Sequence, residues 1–187
     1  MKSKGVLISF LVLVTFLGFL PIEKASASVS SNSVNEVEDR IDTSKNYYIV
    51  PADLPTRGLG SHRSLNFLPS LVIAPSLGNT VEKPNGARMK LVFSEEKKKY
   101  QIGMPYPMPG RGLVNQFIQI IGEGSLYISF GDKYGADWII TPVEGGYILQ
   151  AEGGYLNYKD IESSMYGPIT RAYLGKEKVV WKLVPVL

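Results

Sequence analysis

The residues that could do chemistry in this chain are few. His62 is the only histidine, it lies in a glycine- and serine-rich loop, and there is no cysteine. A hydrolytic triad would have to use His62, and no Gly-x-Ser-x-Gly elbow or metal-ligand spacing accompanies it. Catalysis is therefore not expected, and no cofactor is implied. Glu95-Glu96 followed by Lys97-Lys98-Lys99 sets acids beside cations, but between two strand-like runs it reads as a solvated hairpin turn. "GGYLNYKD", Gly153 to Asp160, offers Tyr155, Asn157, Tyr158 and Asp160, the planar polar and aromatic groups a sugar site uses. "GMPYPMPGRGLVNQ", Gly103 to Gln116, carries Pro105, Pro107 and Pro109, then Arg111 between two glycines. Proline fixes φ and removes a donor, which favours an extended segment. Such a stretch is either a linker or a presented loop, and its flanks decide.

The flanks must first be separated from what is removed. Lys2 and Lys4, the apolar run Val6–Leu20 and the small residues Ala25-Ser26-Ala27 have the order of a secretory signal, expected to span 1–27. Residues 28–42 are polar and serine-rich and read as a flexible leader, leaving 43–187 as the folded domain. The formal charge of +3 is largely the signal's: from Ser28 onward there are 17 basic and 16 acidic residues. A near-neutral chain without a basic stripe argues against nucleic acid as a partner. No later segment approaches membrane-spanning length, so no membrane association is expected once the signal is cleaved. Without cysteine the domain must be held by packing alone.

From Tyr47 the sequence is strand-like throughout, with short runs of alternating apolar, aromatic and β-branched residues broken by Gly, Pro and Asn. Three runs close in the same way. "WIITPV" begins at Trp138 and "WKLVPV" at Trp181, 43 residues later; "MKLVFS" at Met89 fits the same slot, 49 residues before Trp138. Tyrosine strands open at Tyr47, Tyr100 and Tyr147. The pattern is three units of about 43–50 residues, the last strand free to pair with the first, which predicts an all-β domain closed as a β-trefoil. Trp138 and Trp181 are then core residues at equivalent positions.

Several of these runs resemble a known family. "YYIVPA", an Arg-Gly-x-Gly stretch, "LVIAPSLGNT", "IGMPYPM", "IQIIGEGSLYISF" and "ADWII" are similar, in order, to segments of the plant Kunitz-type (soybean trypsin inhibitor-like) proteins, from about Val37 to Ile140. The chain departs from that pattern in lacking cysteines, in a shorter gap between Val37-Glu38-Asp39 and Tyr47, and in extra residues along "RGLGSHRSLNFLPS". The resemblance implies a secreted or vacuolar protease inhibitor that offers a substrate-like loop to a serine-type endopeptidase. It puts the contact loop at Pro107, Pro109, Gly110, Arg111, Gly112 and Gln116, with Arg111 the residue suited to an acidic, trypsin-like pocket and Asn46 bracing the loop. Two alternatives stand beside it: a sugar-binding trefoil with glycans as partner, using the Tyr155–Asp160 groups, and a storage or defence protein of the same fold.

Overall fold

The computed structural model describes residues 41–62, 69–130, 135–163 and 167–187. The expected signal and nearly all of the expected leader lie outside them. The described residues form twelve strands and no helix, every strand pairing antiparallel. They fall into three sets of four. The first is β1 (Asn46–Pro51), β2 (Leu59–His62), β3 (Ser70–Ile73) and β4 (Met89–Ser94). The second is β5 (Lys99–Met108), β6 (Gly112–Ile121), β7 (Ser125–Phe130) and β8 (Ile139–Val143). The third is β9 (Gly146–Ala151), β10 (Gly154–Ser163), β11 (Gly167–Gly175) and β12 (Trp181–Pro185).

Each set is tied together at its ends. The opening tyrosine stands opposite the closing residue of its own set: Tyr47 opposite Met89, Tyr100 opposite Trp138 and Tyr147 opposite Trp181. Tyr100 and Trp138 exchange both backbone hydrogen bonds, at 2.8 and 2.7 Å. Each closing strand also pairs with the next opening strand, β4 with β5, β8 with β9 and β12 with β1. Six strands thus form a hydrogen-bonded ring. The remaining six form hairpins, β2–β3, β6–β7 and β10–β11, which meet pairwise through β3–β7, β3–β11 and β7–β11.

The core repeats with the strands. Strand side chains alternate between two faces, so Tyr-x-Ile, Tyr-x-Ile and Tyr-x-Leu send Ile49, Ile102 and Leu149 inward, each at most 1% exposed. Met89, Trp138 and Trp181 are wholly buried, as are Leu59, Ile118 and Leu156 on the second strand of each set. The indole N–H of Trp181 donates to the Leu156 carbonyl at 3.0 Å, whereas that of Trp138 has no partner. The turn at Glu95–Lys98 is exposed and held by surface pairs, Lys98 with Glu95 at 2.8 Å and Lys97 with Asp137 at 2.9 Å. "LGSH", read from sequence as part of a loop, is strand β2, paired with β3 from Leu59↔Ile73 to His62↔Ser70.

Two local features carry predictions. Gly146 crosses so close to the Trp181 carbonyl that a Cβ there would overlap it, and the backbone has a positive φ of 157°. Gly146→Ala should cost about 2 kcal/mol by forcing β9 off β12, read as a shift in the denaturant midpoint at unchanged slope. Ahead of β1, the Ser44 hydroxyl and N–H and the Lys45 ammonium converge on the Asp42 carboxylate and hold its pKa down at about 2. Ile41 packs on the core beside it. A free aspartate titrates near ~3.9, so the ionised turn stabilises the fold above that pH and loses its contribution as pH falls through about 2. A carboxyl NMR titration of Asp42 reads the midpoint directly.

Candidate functional site

The second set of strands differs from the other two in one dimension. From the buried residue of the opening strand to that of the next strand is ten positions in the first set (Ile49 to Leu59), seven in the third (Leu149 to Leu156) and sixteen in the second (Ile102 to Ile118). The extra residues extend the β5–β6 hairpin. β4 pairs with β5 as far as Gly103, and β7 pairs with β6 as far as Gln116. Beyond those points Pro105–Met108 and Gly112–Asn115 pair only with each other among the described residues. At about 3.3 Å per residue the two-stranded arm reaches roughly 13 Å past the sheet.

Gly103–Gln116 is therefore neither a linker nor an irregular loop. It is a paired arm, and its prolines explain how it stays single. Pro105 and Pro107 oppose Asn115 and Leu113. Lacking an N–H, they occupy the pairs that do not exchange hydrogen bonds with β6, so their ring nitrogens face the outer edge of β5. That edge is short of donors and resists pairing with another strand. At the tip the Arg111 N–H donates to the Met108 carbonyl at 3.0 Å, and Gly110 has φ +76°. Proline followed by a left-handed glycine is what a type II turn requires. Gly112 has φ +73°, a second conformation that other residues adopt only with strain.

Five of the six expected contact residues gather at this tip. Pro107, Pro109, Gly110, Arg111 and Gly112 are exposed, and Leu113 beside them is 75% exposed. Gln116 stands apart from them: it is 6% exposed and sits within β6 between Met104 and Phe130, where its place in the strand buries it. Asn46 lies at the arm's base, where it lines a cleft of about 410 Å³ with Ala87, Arg88, Met104, Pro105 and Leu113. Its carbonyl accepts from the Val186 N–H at 2.9 Å. Leu113 had no sequence signal as a contact residue; its exposure follows from the register that sets it opposite Pro107.

The sugar-site group does not assemble. Tyr155, Asn157, Tyr158 and Asp160 lie along β10, and strand alternation sends the first two to one face and the others to the opposite face. Asn157 is 7% exposed, its amide donating to the Glu177 carbonyl at 3.3 Å. The Tyr158 hydroxyl donates to Asp53, and its ring meets Trp181 edge-on at 6.0 Å. Burial, with the Asp53 acceptor second, raises the Tyr158 pKa far above the ordinary phenol value. Asp160 accepts from Thr170 at 2.7 Å, and Thr170 accepts from Arg57 at 2.8 Å. These groups hold strands together. His62 ends β2 opposite Ser70, and no cluster of three or more acidic, His or Cys side chains suited to a metal occurs among the described residues.

No family model and no curated protein matches the chain. Solved structures do. The water-soluble chlorophyll protein from Brassica oleracea var. Botrytis, solved with chlorophyll b, aligns at a TM-score of 0.55 and 14% identity, covering 76% of this chain and 91% of that one. Soybean trypsin inhibitor aligns at 0.52 and 12%, covering 76% and 92%. The bifunctional α-amylase/subtilisin inhibitor from Oryza sativa aligns at 0.51 and 13%, with the same coverage. The fold is thus that of the Kunitz-type trefoil proteins, in keeping with the resemblance carried by the sequence motifs. At these identities the likeness is one of fold, and that fold serves both inhibitors and chlorophyll-binding proteins.

Proposed function

We propose that this chain is a secreted inhibitor of a serine-type endopeptidase, built as a closed β-trefoil and acting through the tip of its β5–β6 arm. The ring of six strands is read as the barrel and the three hairpins as its cap. Residues 1–27 are removed as a secretory signal, and Ser28–Leu187 is the exported form. The observation that carries the reading is the arm itself, lengthened in one unit of three, stiffened by proline and ending in an exposed arginine between left-handed glycines. Pro107, Pro109, Gly110, Arg111 and Gly112 enter the protease cleft, with the Arg111 guanidinium in an acidic pocket and Leu113 against its rim. Asn46 braces the arm where it leaves the ring. An arm already held in shape spares the ordering cost of association, so an interface of roughly 1,600 Å² binds tightly.

The test is titration of the mature protein against trypsin, chymotrypsin, subtilisin and papain, following residual activity and cleavage of the chain. Stoichiometric inhibition of trypsin with slow nicking after Arg111 supports the reading. An intact, folded protein that inhibits none of the four overturns it and leaves a trefoil used for storage or for another ligand.

A further inference from the structure

The outer face of the β10–β11 hairpin carries an arrangement that the inhibitor reading does not use. Lys159 and Arg171 stand directly opposite each other in the β10–β11 register. Facing pairs bring Cβ atoms to roughly 5 Å, and two cations there repel. Neither forms an ion pair with a carboxylate among the described residues. Each leans instead on a tyrosine ring: Lys159 Nζ lies 4.9 Å from the centroid of Tyr173, and the Arg171 guanidinium carbon 5.8 Å from that of Tyr127. Arg171 also donates to the Tyr127 hydroxyl at 3.3 Å, while its Nε is buried with no acceptor. The motif recurs along the strand, where Lys178 Nζ lies 5.5 Å from the centroid of Tyr155. Tyr155 and Lys159 are four residues apart on β10, which is about 13 Å.

We infer that this face binds an acidic polysaccharide, one oxyanion of which sits between Lys159 and Arg171 and the next beside Lys178. An oxyanion placed between the two side chains removes the repulsion of the facing cations and accepts charge-assisted hydrogen bonds from them. The spacing suits a repeating anion more than a single small one, and the flanking tyrosines offer flat apolar surfaces to sugar rings. Three cations on a chain that is otherwise near neutral are too few for the broad basic field nucleic acid requires. The anion is a carboxylate or a sulfate ester.

Binding of the purified protein at low salt to polygalacturonate, dextran sulfate, neutral dextran and oligothymidylate tests this by calorimetry. Binding to one or both of the first two, and to neither of the others, is expected; which of the two binds names the anion. Lys159→Gln should weaken binding about tenfold, and the double variant with Arg171→Gln should abolish it, in line with the loss of one or two charge-assisted hydrogen bonds. Lys159→Gln should also melt no lower than the parent, because it removes a repulsion; a purely structural lysine would lower the melting temperature. Arg111→Ala should bind the polymer as the parent does, which separates this site from the arm. Failure of the parent to bind either polyanion, undiminished binding by Lys159→Gln, or equal affinity for oligothymidylate overturns the proposal.

Discussion

Arg111→Ala is expected to weaken trypsin inhibition by about a hundredfold or more, with no change in thermal stability. One buried arginine anchor in a protease cleft is worth roughly 3 kcal/mol, the equivalent of that hundredfold, since truncation leaves the acidic pocket unpaired. Stability should be untouched because the Arg111 side chain is exposed and only its backbone N–H serves the turn. Arg111→Lys should recover part of the inhibition, as a point charge replaces a planar fork. Inhibition constants for the three proteins, measured alongside melting curves, decide the matter. Equal inhibition by Arg111→Ala and the parent would remove this residue from the interface. Shortening the arm to a tight turn at Gly103 and Gln116 should abolish inhibition while leaving the ring folded.

The second large effect is on stability. Trp181→Ala should cost about 3–5 kcal/mol, a large part of the ~5–15 kcal/mol that holds a domain of this kind together. Trp181 is fully buried, touches Tyr158 edge-on, donates to the Leu156 carbonyl and stands opposite Tyr147. At about 2–4 °C per kcal/mol, its loss should lower the melting temperature by roughly 10 °C. Trp138 gives the matched comparison. It is buried as completely, but its indole N–H has no partner. Phenylalanine at 138 therefore gives up less than phenylalanine at 181, where a hydrogen bond of about 1 kcal/mol also goes. Denaturant unfolding of the two Phe variants side by side reads the difference.

The ring was legible from residue types because its signal is local and repeated. Tyrosine opens and Met or Trp closes each unit, and the structure pairs each opening tyrosine with the closer of its own unit. The hairpins were less legible. β10 and β11 carry lysine, aspartate, glutamate and glycine among their apolar residues, which blurs strand alternation. The β2 residues Leu59–His62 are mostly small and polar. The arm was read from the sequence as a presented loop and not as paired strands, because proline inside a run ordinarily argues against a strand. Here Pro105 and Pro107 are two residues apart in the strand, the spacing that turns both missing donors to one side. The sugar-site group failed for the converse reason: neighbours in sequence on a strand are on opposite faces. The cation–tyrosine face had no sequence signal, since it joins residues as far apart as Tyr127 and Arg171.

The ring closes through its first and last strands, and this bears on the order of events at synthesis. β1 has β4 on one side and β12 on the other, and β12 ends at Pro185. Until that strand leaves the ribosome, β1 and β9 each keep an open edge, and Tyr147 lacks the partner that Trp181 provides. All three sets of strands must therefore be made before the ring can lock, and until then its unpaired strands need protection from one another.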